Sequence, residues 1–298
     1  MRPAFVDTQF VKPDIGDDGV KTLYRIAQGR NPKLIPTATV SDLFNPIFRA
    51  FLAPSRPRLG VYVPYADVDP ALLLEGLKVV GCDPADAVIF IDFTGADLNP
   101  TIAPGSVAAI FDQLNEAAVW ARLVFQGSAY PKKNPADAGG YALVPRDEWK
   151  TFNAAAREWS LPKGVAAYGD FGAHCGEMVF PKGPSGRAIL HLRYTTPELT
   201  LVVRGKKEGK DLAVMRDVFQ RILDSGHFAG QSFSYADDRI WRGAKGLDGS
   251  GNASIWREWN MAHHITRLVR DLGAMEGIFF HDGRVSMAPE QVRLFEDF

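Results

Sequence analysis

Short apolar runs alternate along this chain with longer segments whose apolar positions recur every three or four residues. Residues 4–9, 33–40, 58–65, 87–94, 121–128, 164–171, 199–205 and 231–240 are rich in Val, Ile, Leu, Phe and Tyr and are bounded by turn residues, so they read as strands. Between them, residues 18–29, 42–52, 69–81, 104–117, 146–159, 210–224 and 253–272 carry helical spacing. In the last of these, Ile255, Trp259, Ala262, Ile265, Val269 and Leu272 share one face. Strands alternating with helices predict a parallel sheet with crossover connections, and eight strands is the number that closes a barrel.

The punctuation agrees with this register. Asp69-Pro70 and the run Ala103 to Ser106 open helices, while Gly81 and Gly226 follow helix ends. One connection breaks the rhythm: residues 172–187 hold glycines and prolines without a helical period, and residues 189–195 add an extra strand. With Thr196-Pro197-Glu198 as its turn, that strand pairs with residues 199–204 in a hairpin. The expected architecture is therefore α/β: a single (β/α)8 TIM-barrel-like domain over residues 1–272, with an irregular hairpin around strands six and seven. A short C-terminal extension, residues 273–298, packs on the barrel or on a partner.

Composition narrows the function classes. Of 298 residues, 46% are hydrophobic and 23% charged, the proportions of a folded globular chain. A net charge of −1 argues against a surface built wholly to grip duplex nucleic acid. Cys82 and Cys175 are too few for a disulfide framework and fit a reducing cytoplasm. No apolar stretch reaches membrane-spanning length, and Asp7 interrupts the start before a signal-peptide core develops.

In a barrel, Asp7, Asp92, Gln126, Asp170, Arg204 and Asp237 would stand near the C-terminal ends of different strands, where loops build an active face. Carboxylates converging there bind a divalent cation or divide into acid and base; equally, they cap the following helices or pair with Arg193 and Arg204. Under the catalytic reading Asp92 and Asp170 act as metal ligands or bases, and Tyr168 or His263 assists proton transfer. His263 and His264 are adjacent, so a helix points them about 100° apart, and a core hydrogen bond is the competing role for His263. A cluster of Asp170, His174 and Cys175 is a weaker metal candidate, lacking a second Cys or His nearby.

A second chemistry is anion binding. The glycine-rich run from Gly243 through Gly249, Gly251 and Asn252 leads into the last helix, whose first N–H groups could receive a phosphate. Arg193, Arg204, Lys206, Lys207 and Lys210, with Arg239 and Arg242, would supply positive charge around the same rim, and Trp241 an aromatic surface. The competing reading is a surface loop with a plain N-cap at Asn252 or Ala253. The run has neither the P-loop nor the GxGxxG spacing, and no Gly-x-Ser-x-Gly elbow occurs.

Four stretches taken together resemble the beta family, a group named after a bacteriophage beta protein. They are Tyr168-Gly169-Asp170-Phe171, Leu192-Arg193-Tyr194-Thr195, Val202-Val203-Arg204-Gly205, and Trp256-Arg257-Glu258-Trp259 through His263-His264-Ile265-Thr266. The likeness runs over most of residues 58–272. It departs at Phe171, where the family usually has tyrosine, and at Asn260-Met261-Ala262. The resemblance implies a TIM-barrel-type fold and a setting in phage defence or mobile-element conflict, with no agreed reaction and no named cofactor.

The combined expectation is a cytoplasmic protein that binds a phosphate-bearing ligand, or a partner protein encoded nearby or supplied by a phage, at the C-terminal face of the barrel. The alternative is a metal-assisted phosphoester or nucleotide hydrolase using carboxylates at strand ends.

Overall fold

The computed structural model describes residues 4–49, 58–172, 174–176, 189–208 and 212–280. The last turn of the helix expected over residues 42–52, most of the irregular run 172–187, Lys210 and the tail beyond Phe280 lie outside the described residues. The chain divides into two compact units: residues 1–128 with 147–170, and residues 129–146 with 171–298.

The first unit follows the βα rhythm read from the sequence. Strands β1 (Ala4–Val6), β2 (Leu34–Thr39), β3 (Leu59–Pro64), β4 (Ala87–Asp92) and β5 (Arg122–Gln126) lie in that order, all parallel. Helix α1 (Lys12–Arg30) follows β1; the short helices α2 (Val40–Leu43) and α3 (Pro46–Arg49) follow β2; α4 (Pro70–Val80) and α5 (Pro104–Ala117) follow β3 and β4. Leu59, Val61, Val63, Ala87, Ile89, Ile91, Leu123 and Phe125 alternate along β3, β4 and β5 and are buried, which sets one sheet face in the core. Asp69 caps α4 through Ala71 N at 3.0 Å and Leu72 N at 3.1 Å, and Gly81 ends it in the left-handed region.

The second unit opens with β6 (Tyr141–Pro145) and departs from the barrel at that strand. After helix α6 (Asp147–Ala155), β7 (Ala166–Gly169) completes the parallel sheet beside β5, and no further strand joins it among the described residues. Strands β8 (Ile189–Thr195) and β9 (Leu199–Glu208) form the expected hairpin, and β9 pairs antiparallel with β6 on its other side. Helices α7 (Leu212–Asp224), α8 (Tyr235–Ala244) and α9 (Ala253–Met275) follow.

The closed (β/α)8 barrel is thus corrected to a six-stranded parallel half-barrel sheet plus a separate three-stranded antiparallel sheet. Residues 199–205, expected as the seventh barrel strand, are the centre of the antiparallel sheet. Residues 231–240, expected as the eighth, are a loop and the start of α8. Ser234 accepts from Asp237 N as the cap there, and buried Ala236, Asp237, Ile240 and Gly243 follow the helical repeat rather than strand alternation. One face of the antiparallel sheet, Leu190, Leu192, Tyr194, Leu201 and Val203, packs on Met215, Val218, Phe219 and Ile222 of α7, Ile240 of α8 and Trp256 and Trp259 of α9.

Candidate functional site

The alternation that buries Leu190, Leu192 and Tyr194 sends the odd-numbered residues of β8 to the other sheet face. His191 pairs in register with Arg204 of β9, and Arg193 with Val202, so His191, Arg193 and Arg204 share that face. Arg257 of α9 adds its charge to the same cluster: it and Arg193 both disfavour the protonated form of His191. Arg193 lies over the Tyr130 ring at 4.5 Å, its main-chain N–H donates to Asn260 Oδ1 at 3.0 Å, and Arg204 Nη1 donates to Ala136 O at 3.2 Å. These contacts fix two guanidinium groups before any ligand arrives.

Charge crowding has a measurable sign here. Burial first, and then Arg193, Arg204 and Arg257, push the His191 pKa below the usual histidine range. His191 Nδ1 donates to Ile189 O at 3.0 Å, which leaves Nε2 as the atom that titrates. Burial, reinforced by Arg257, likewise lowers the Arg193 pKa, against the raising influence of Tyr130. Lys206 and Lys207 continue β9 as exposed side chains.

The remaining predicted residues of this unit have structural partners. His263 is 1% exposed: Nδ1 meets Asp237 Oδ2 at 2.9 Å and Nε2 meets Thr195 O at 2.7 Å. His264 Nδ1 meets Thr195 Oγ1 at 2.9 Å. Both histidines therefore make core hydrogen bonds from adjacent positions of α9. Asp237 is no strand-end carboxylate but a wholly buried residue of α8. Trp241, Arg239 and Arg242 are on α8 too, rather than after a strand, and Asp248 accepts from both arginines at 2.8 Å.

The glycine-rich cap is also occupied. Asn252 Oδ1 accepts from Ser254 N at 3.0 Å and Ile255 N at 3.1 Å, the donors a phosphate would need at the start of α9. Gly251 has φ +69°, and a Cβ there would come within 3.1 Å of both Ile255 and Trp256. Gly249 has open space around it, and Trp256 Nε1 donates to Ser250 O at 2.6 Å, tying the loop down.

In the parallel sheet, Asp92, Gln126 and Gly169 are in register at the C-terminal ends of β4, β5 and β7, and Asp170 follows at once. Asp92 Oδ1 accepts from Thr94 N at 2.8 Å. Tyr168 belongs to the opposite face, in register with Phe125, where it packs edge-on against Trp149 and Phe152 of α6, each with ring centroids 5.1 Å away. Asp92 and Tyr168 thus project from opposite faces of the sheet, and the arginines and His263 belong to the other unit. The barrel mouth that would have gathered all of them is absent. Among the described residues no group of three His, Cys, Asp or Glu side chains is placed to hold a metal ion. Cys82 is no nucleophile candidate, its pKa pushed up to about 12 by burial and by Asp86 and Asp83.

Sequence reasoning singled out Arg193 and Arg204 but missed His191 and the charge of Arg257. His191 was readable as the polar partner of Arg193 in the β8 alternation; Arg257 joins only through the packing of α9 on β8, which no local pattern encodes.

A family model described as Beta protein matches residues 1–270. No curated protein matches the chain, and no solved structure does. No helix among the described residues is long and apolar enough to cross a membrane.

Proposed function

Because the chain belongs to the beta protein family, we propose that it serves in phage defence or mobile-element conflict by holding a phosphate-bearing anion on the basic face of its antiparallel sheet. The observation that carries this reading is the sharing of one sheet face by His191, Arg193 and Arg204, set side by side by the register of β8 and β9. A sheet face that concentrates guanidinium groups is costly in itself, and an anion relieves the cost while accepting paired N–H bonds from the arginine forks. The site is a corrected one, since the barrel face on which it was first expected does not exist.

Titration calorimetry with inorganic pyrophosphate tests the reading. Arg193→Ala and Arg204→Ala should each weaken binding about 10- to 100-fold, the worth of a lost charge-assisted hydrogen bond. An unchanged Kd in both variants, with folding intact, would overturn it.

The depressed His191 pKa supplies a second prediction. An anion favours the protonated ring, so binding should take up a proton and tighten as the pH is lowered through the range in which the free site holds His191 neutral. Sulfate is the suitable probe, because its own charge is constant across that range. His191→Gln should flatten the pH profile. The same shift links to stability: His191 favours the folded state above the unfolded histidine pKa of about 6.5, and that contribution is lost as the pH falls toward the lower folded value.

A further inference from the structure

A cavity of about 230 Å³ opens at the C-terminal ends of β1 and β2, lined by Thr8, Gln9, Lys12, Thr37, Ala38, Thr39, Ser41 and Asp42. A smaller one of about 20 Å³, room for roughly one water, adjoins it and shares Thr8, Lys12, Thr37 and Asp42. The ends of parallel strands with crossover helices are where such folds place their ligands, yet none of these residues carries a motif.

Its floor is built rigidly. Tyr24 is wholly buried, and its hydroxyl donates to Thr37 O at 2.7 Å, accepts from Thr37 N at 3.2 Å, and lies 3.1 Å from both Val6 O and Thr8 Oγ1. One phenol therefore ties the last residues of β1 to β2. Gly16, at φ +64° and ψ 179°, breaks α1 just after its first turn, so the turn bearing Lys12 and the rest of the helix run as separate pieces.

The lining chemistry selects a ligand class. Lys12 Nζ donates to Asp42 Oδ1 and sits 3.3 Å from Asp17 Oδ1, while Asp42 Oδ2 accepts from Thr39 N at 3.0 Å and Thr39 Oγ1 at 2.8 Å. The ammonium is thus balanced by carboxylates, which leaves no net positive charge to hold an anion. Asp42 is likewise committed to Lys12 and Thr39, and its pKa falls below the usual carboxylate range, although burial, the largest influence, pulls the other way. A free cation would have to displace those bonds. Seven of the eight lining residues are polar and none is aromatic, so an apolar ligand gains little. What remains is a small neutral molecule dense in hydroxyl groups.

We propose that this pocket binds a polyhydroxylated ligand of the monosaccharide class, about eight of whose non-hydrogen atoms fit inside it at roughly 30 Å³ per water-sized group. The site is independent of the basic sheet face.

The test uses the full chain, isotope-labelled, with D-ribose and D-glucose as probes and inorganic phosphate and tetramethylammonium as charged controls. At least one sugar should give saturable amide shifts in residues 8–12 and 37–42, and the charged probes should not. Ser41→Tyr, at an exposed position on the rim, should weaken the response at least 10-fold with an unchanged melting temperature. Arg193→Ala should leave it intact, so a failure here is distinguishable from a failure of the anion site. Lack of saturation by either sugar, or saturation by phosphate or tetramethylammonium in these same residues, overturns the proposal.

Discussion

Asp237→Ala should destabilise the second unit by about 3–5 kcal/mol, the summed cost of leaving several buried polar partners unmatched. Asp237 is 0% exposed; its side chain accepts from Tyr194 Oη at 2.5 Å and from Ser234 Oγ, and meets His263 Nδ1. Thr195 O only accepts, so His263 Nε2 carries the proton of that contact, and Nδ1 meets Asp237 Oδ2 at 2.9 Å. Tyr194 stacks on that ring with centroids 3.8 Å apart, and burial together with Asp237 pushes its phenol pKa far above the ordinary range, so it stays a donor. Alanine would strand the Tyr194 and Ser234 hydroxyls and the His263 ring nitrogen at once.

Amide hydrogen exchange of α8 and α9 under denaturant titration reads the effect directly. Asp237→Asn should recover only part of the loss, since its NH2 faces groups that already donate. If His263 instead acted in a reaction, Asp237→Ala would leave exchange protection unchanged, and that outcome would sink the structural assignment. A double-mutant cycle with His263→Phe should show favourable coupling between the two side chains, because removing both partners avoids the buried orphan.

The parts of the fold that were legible share one property: local pattern was sufficient to specify them. Leu59, Val61 and Val63 alternate with Gly60 and Tyr62, and Asp69 and Gly81 bracket α4, so strand and helix both followed from spacing and capping. Strand alternation carries no direction, however. Leu199 to Arg204 looks the same whether it closes a barrel or pairs antiparallel, and only the partners β6 and β8 decide. Strand β6 was invisible because its pattern is inverted: Tyr141 and Leu143 are exposed while Ala142 and Val144 are partly covered. In residues 231–240, Phe233, Tyr235 and Ile240 mimic a strand, but a single cap at Ser234 converts the run to helix.

The candidate sites divide in the same way. Arg193 and Arg204 stood out as charges inside apolar strands. The hydroxyl-lined pocket did not, because Thr8, Thr37, Thr39 and Ser41 read individually as turn residues, and their meeting depends on the parallel register of β1 and β2.

Arg146 is the second residue whose loss should be severe, and it separates the worth of a buried pair from the cost of breaking one. Its side chain is 2% exposed; Nη1 donates to Asp271 Oδ2 at 2.7 Å, Thr196 O at 2.8 Å and Pro197 O at 3.3 Å. Its own N–H reaches Glu198 O at 3.1 Å. One guanidinium thereby fastens the β8–β9 turn to the C-terminal part of α9, directly after β6. Arg146→Ala should cost about 3–5 kcal/mol in unfolding free energy, because two turn carbonyls and a largely buried Asp271 lose their donor, and Asp271 keeps Arg267 Nε, 2.9 Å away. Arg146→Met combined with Asp271→Leu removes both charges and keeps most of the volume. The double variant should therefore be closer to the parent than Arg146→Ala is, with the unrecovered remainder reporting the turn carbonyls alone. Equal destabilisation by the single and double variants would show that the Arg146 stem, and not its charge, holds the hairpin in place.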